Sequence, residues 1–123
     1  MSADGTFEID MAPQADPRAP AGRMVLSKTY HGDMNGSGIG QMISKRTESG
    51  AAVYYAIEEF SGSVDDRSGA FTLVHQGRMT KDTQSLEVNI LEGSGSGELM
   101  TITGAMHITQ DVNGHAYELR YEL

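Results

Sequence analysis

The sequence predicts an all-β fold, an eight-stranded antiparallel up-and-down barrel, and three observations carry that reading. Glycine makes up 15 of 123 residues and stands in short polar clusters between runs rich in Val, Ile, Thr, Tyr and Phe. In the last segment Tyr117, Leu119, Tyr121 and Leu123 alternate with Glu118, Arg120 and Glu122, a period of two rather than about 3.6. No stretch holds a helical period; the one candidate is a turn around residues 98–102.

Taken in order, the first strand is expected at residues 6–11. Residues 12–22 hold all three prolines, Pro13, Pro17 and Pro20, and so read as a wandering loop that cannot pair regularly. Strands follow at 24–31, 39–47, 52–60, 69–79, 85–91, 99–110 and 116–123. The links at 32–36, 48–50, 64–67 and 80–83 are short enough for hairpins. In the last link, Asp111-Val112-Asn113-Gly114, the Asn-Gly pair tolerates positive φ at both central turn positions. Such a meander leaves two edges, and pairing the last strand with the first removes both. An open two-layer sandwich is the rival arrangement.

The 123 residues make a single domain, 1–123, with 38% hydrophobic and 21% charged residues. Nine Lys+Arg against 17 Asp+Glu leave a formal net charge of -8, and the basic side chains are scattered apart from Lys45-Arg46. Phosphate binding needs a basic footprint, so nucleic acid is not an expected partner. No apolar run reaches the ~18 residues of a membrane span, and residues 1–5 open without a basic or apolar leader. A cytoplasmic protein with no membrane partner is the simplest expectation. The absence of cysteine removes disulfides, thiolate metal sites and Cys nucleophiles.

The stretches 55–64 (YAIEEFSGSV), 67–79 (RSGAFTLVHQGRM), 93–99 (GSGSGEL) and 102–106 (ITGAM) resemble the bacterial family catalogued as domain of unknown function 3224. The likeness spans residues 7–123, and the segment 58–75 is its most specific part. It implies a barrel similar to allene oxide cyclases, with a lipocalin-like (calycin) layout, and it implies no activity. The cyclases' catalytic residues find no matching positions here, so their reaction is not carried over.

Few residues offer chemistry. Glu58 and His75 interrupt otherwise apolar segments on consecutive strands and should touch across the sheet. A carboxylate that receives an imidazole N–H fixes the tautomer and raises the ring's basicity, as a general base or a polar ligand anchor requires. The alternative is a buried pair that satisfies itself and specifies register. Glu59 falls on the opposite face by alternation. Tyr54, Tyr55, Tyr117 and Tyr121, with Met24, Met42, Met79, Met100 and Met106, would line a site for a planar or irregular apolar ligand, or else fill a core.

His31, His107 and His115 lack metal-ligand spacing, even with Asp33 two residues after His31, and no metal or cofactor is expected. Gly36-Ser37-Gly38-Ile39-Gly40 and Gly93-Ser94-Gly95-Ser96-Gly97 echo one another but match neither a dinucleotide fingerprint nor a phosphate loop. They read as glycines permitting bulges or bends at a barrel rim. The second lacks the following helix of a hydrolase nucleophile elbow.

The expected function is binding of a small apolar or amphipathic ligand in or at the mouth of the barrel, with Glu58, His75, Tyr54, Tyr117 and Tyr121 as candidate contacts. Two alternatives stand: an isomerase or cyclase in which Glu58 or His75 moves a proton, and a solid structural barrel. A homo-oligomer, a dimer in the simplest case, is expected because strands such as 52–60 are apolar on both faces.

Overall fold

The computed structural model describes residues 1–123. It contains nine strands: β1 (Ser2–Gln14), β2 (Gly22–Gly32), β3 (Met34–Arg46), β4 (Ala52–Val64), β5 (Arg67–Met79), β6 (Gln84–Ile90), β7 (Ser96–Gly97), β8 (Thr103–Asp111) and β9 (Gly114–Glu122). Eight of them form a closed antiparallel barrel in the order β1-β2-β3-β4-β5-β6-β8-β9, and β9 returns to β1 through the register Ser2↔Arg120 to Phe7↔His115. The amphipathic last strand is therefore not an edge, and the open sandwich is excluded. No helix is long and apolar enough to cross a membrane.

The departures from expectation have local causes. Pro13 pairs with Met24 inside the β1–β2 ladder, so the connecting loop is shorter than the prolines suggest. Beyond Phe7, β1 has no partner on its β9 side, and a proline there need not remove a ladder hydrogen bond. The 111–114 hairpin forms, but its two loop residues are Val112 and Asn113, and positive φ falls on Gly114 alone (φ 119°). Asp111 Oδ1 accepts from the Asn113 N–H at 2.7 Å, a side-chain turn that leaves Asn113 outside the left-handed region. Residues 99–102 are a turn rather than the start of a strand. The glycine-rich segment before them contributes β7, which pairs with Gly69 and Ala70 of β5.

The two ends of the barrel differ. At the end carrying the β2–β3 and β4–β5 turns, the 91–102 connection folds beneath the barrel and inserts Leu99 and Ile102 under Met34, Phe60, Val64 and Phe71, all of them fully buried or nearly so. Two tyrosines close this end. The Tyr117 hydroxyl accepts from the Met34 N–H at 2.8 Å and donates to the His31 carbonyl at 2.9 Å, and the Tyr121 hydroxyl bonds the Asp65 carboxylate. At the opposite end no such plug exists. β6 and β8 share only two register pairs, Val88↔Met106 and Asn89↔Ala105, so their remaining lengths splay apart.

Candidate functional site

Inward-facing positions alternate along each strand, and at mid-barrel four of them are polar. Leu26, Lys28 and Tyr30 face inward from β2; Tyr54, Ala56, Glu58 and Phe60 from β4; Leu73 and His75 from β5. Glu58 is opposite Leu73 in the register and His75 opposite Ala56, so the two polar residues meet on a diagonal. His75 Nε2 lies 2.8 Å from Glu58 Oε1, the same oxygen that accepts from Lys28 Nζ at 2.9 Å. Tyr30 donates to Glu58 Oε2 at 2.5 Å. Glu58 is wholly inaccessible, and Lys28 and His75 are each 5% exposed.

The cluster requires a glycine. On β3, a Cβ at Gly38 would collide with Glu58 Oε2, so the absent side chain is what lets the carboxylate lie flat against the wall. Gly77 does the same for the Tyr54 ring, which covers it from the next strand.

Burial disfavours ionisation of Glu58, but the hydrogen bond from His75, the charge of Lys28 and the hydrogen bond from Tyr30 outweigh it and hold the carboxyl down at about 2. Burial, then the adjacent Glu58 charge, pushes the Tyr30 phenol far above its ordinary value. An ionised carboxylate only accepts, so Nε2 of His75 carries its proton toward Glu58. No buried side-chain nitrogen or oxygen lacks a partner, and His75 bonds only through Nε2. Its Nδ1 has no hydrogen-bond partner in the protein, and His75 lines the cavity that Lys28 also faces. Lys28 spends one N–H on Glu58, and its ammonium rests 4.6 Å from the centre of the Phe7 ring.

Above this floor the unplugged end forms a cup of about 670 Å³. Its walls are Ile9, Met11, Leu26, Met42, Leu86 and Ile108, with Tyr54 over one side and Gln84, Ser85, Thr109 and Gln110 along the splayed β6–β8 seam. His107 and His115 stand at the rim, and His115 stacks on Phe7 with centroids 5.0 Å apart.

The structure thus brings Glu58, His75 and Tyr54 of the expected contacts to one site. It places Tyr117 and Tyr121 at the other end, where their hydroxyls hold turns; burial foremost raises both phenols, each to about 12. Lys28 and Tyr30 are the members that sequence reasoning did not single out. The available signal was parity: Leu26, Lys28 and Tyr30 share one face of β2, whereas Ser27 and Thr29 occupy the other. Of the methionines, Met42 reaches the cup and Met100 is exposed on the outside. Glu59 is exposed on the outer face and accepts from the Thr72 hydroxyl at 2.7 Å.

Over residues 3–121 the chain matches the family described as protein of unknown function (DUF3224). A crystal structure of a protein with unknown function from that family in Shewanella oneidensis has the same fold, with a TM-score of 0.94 at 32% identity, covering 100% of this chain and 96% of that one. No curated protein matches the chain.

Proposed function

Since the chain belongs to the DUF3224 family, whose description assigns no activity, we propose from the geometry of the site that the cup binds a small, partly apolar molecule whose polar end meets Lys28 and His75. One observation carries this: a buried, ionised Glu58 holds Lys28 and His75 at the floor of a cavity whose lining is half apolar, Ile9, Met11, Leu26, Met42, Leu86 and Ile108 among it, and half polar, along the β6–β8 seam and the rim. Ligand sites combine apolar walls with a few convergent polar groups in this way.

The methionines supply the test. With 13C-methyl-labelled methionine, adding 1-octanol should shift the Met42 and Met11 signals at the cup while Met34, at the plugged end, and Met100, outside, stay in place. Shifts confined to Met34 or Met100, or none with either octanol or octanoate up to their solubility, would overturn the reading.

The dyad also favours a second reading, a cofactor-independent isomerase or cyclase. His75, with its Nε2 proton anchored on a carboxylate, its Nδ1 unpartnered and its ring lining the cup, is suited to act as a general base. Exchange of a carbon-bound ligand proton with solvent deuterium, lost in His75→Ala, is what separates this from simple binding.

The homo-oligomer belongs with these proposals, and its surface is the outer face of β3, β4 and β5. Ile39, Ile43, Tyr55 and Ile57 are exposed there, and Val74, opposite Ile57, continues the row. Lys45 and Arg78 flank Val53 at one end of this strip and Glu59 lies at the other. Twofold stacking about the middle of β4 sets each copy's Glu59 beside its partner's cations, a complementarity that offsets the repulsion between two chains of net charge -8. Light scattering should give twice 13.2 kDa at micromolar concentration, and Ile57→Glu should restore 13.2 kDa. A wild-type monomer would remove the proposal.

A further inference from the structure

We infer that the cup selects an acid: an amphipathic molecule whose carboxylic head, or a like-shaped O–H acid, sits between Lys28 and His75 and is bound together with one proton. The inference rests on the binding reading above and gives it a ligand class.

The floor of the cup leaves two polar groups short of partners. Glu58 is wholly buried and already accepts three hydrogen bonds, Oε1 from Lys28 and His75 and Oε2 from Tyr30, so it is not the group a ligand meets. Lys28 retains donors, and His75 retains one acceptor, Nδ1. The head group that answers both accepts from an ammonium and donates to an imidazole nitrogen at once. An amine repels Lys28, and an ether or ester leaves Nδ1 without a donor. An alcohol answers both groups but brings no charge, whereas a carboxylic acid offers its carbonyl oxygen to Lys28 and its O–H to Nδ1.

Charge balance decides between the neutral and ionised forms of that acid. The floor itself holds one cation and one anion, Lys28 and Glu58. A bare carboxylate would add an uncompensated negative charge to a site already shielded from water, which is costly. If Nδ1 takes the proton, the imidazolium donates to Glu58 through Nε2 and to the ligand through Nδ1, and the floor carries two cations and two anions. The bond broken is the acid O–H, the bond formed is Nδ1–H, and for a ligand already ionised in solution the proton comes from the buffer. The other ionisable groups facing this position are Lys28 and Tyr30 from β2, Glu58 and Tyr54 from β4, and His107 and His115 at the rim on β8 and β9; β6 presents none inward. His107 and His115 are the possible competing acceptors, so their variants serve as controls.

The experiment uses one tail with three heads: octanoate, 1-octanol and octylamine, titrated by calorimetry at pH ~7.5 in phosphate and in Tris, whose ionisation enthalpies differ. Octanoate should bind at least tenfold more tightly than octanol, with uptake of close to one proton, and octylamine should bind worst. Lys28→Met should abolish the preference for octanoate, weakening octanoate binding far more than octanol binding, since octanol loses one neutral hydrogen bond and octanoate loses its counter-charge. His75→Gln should remove the proton uptake, and His107→Gln and His115→Gln should not. If octanol binds as well as octanoate, or octanoate binds without proton uptake, the inference fails while the cup remains a binding site. If none of the three binds, both fall. Far-ultraviolet dichroism on each variant separates lost binding from a lost fold.

Discussion

Glu58→Leu is expected to destabilise the barrel by about 3–5 kcal/mol, because it leaves the Lys28 ammonium buried without a counter-charge and strips the hydrogen-bond acceptor from His75 and Tyr30. For a chain of 123 residues that corresponds to a melting temperature lower by roughly 10–20 °C. The cost lies in the stranded partners more than in the absent carboxylate. Lys28→Met in the Glu58→Leu background should therefore recover part of the loss, with a coupling of roughly 1–3 kcal/mol in a double-mutant cycle. Recovery would be incomplete, since the Tyr30 hydroxyl and the His75 Nε2 proton still lack an acceptor. Guanidinium titrations of the four proteins provide the measurement, and strict additivity would show that the two charges do not stabilise one another.

The sequence made the barrel legible because period-two alternation survives in the strands that matter, above all 117–123, and because short links leave a meander few places to go. What it concealed depends on contacts between strands distant in the chain. Pro13 looked like a breaker, and only the end of β9 pairing at Phe7 reveals that its missing N–H has no ladder partner to lose. β7 is two residues long and carries no alternation; it exists because Gly69 lets Ser96 approach β5. Asn113-Gly114 has the composition of a primed turn, yet the Asp111 side chain caps the Asn113 N–H and moves the positive φ one position on.

The site was half legible for a similar reason. Glu58 and His75 drew attention as polar residues in apolar strands, and hairpin neighbours meet predictably across a shared ladder. Lys28 approaches Glu58 from β2, with β3 between them. Only a glycine at position 38 opens the line between the two side chains, an arrangement that no spacing within one strand encodes. Tyrosines were the converse case. Tyr54 and Tyr117 are alike as residues, and which end of the barrel each occupies follows from where the 91–102 connection folds under, a long-range packing outcome.

Stability should fall on both sides of a plateau between about pH 5 and 10, and the acid limb should belong largely to Glu58. In the unfolded chain this carboxyl takes its proton near the ordinary 4.5, whereas in the barrel it holds off until about 2. Between those values the unfolded chain binds more protons, so stability drops as pH falls. The contribution is fully present above about pH 5, is lost through the folded value, and amounts to about 3 kcal/mol over the whole window. The alkaline limb has the opposite sign. Burial raises the Tyr30 phenol, and raises that of Tyr117 to about 12, so the unfolded chain releases these protons first and stability drops as pH rises past about 10. Urea midpoints measured from pH ~2.5 to ~11 test both limbs. Glu58→Gln should flatten the acid limb while leaving the alkaline one standing, and Tyr30→Phe should weaken the alkaline limb. An acid limb of unchanged slope in Glu58→Gln would mean that surface carboxylates govern it, and that the buried cluster does not hold Glu58 ionised as its hydrogen bonds imply.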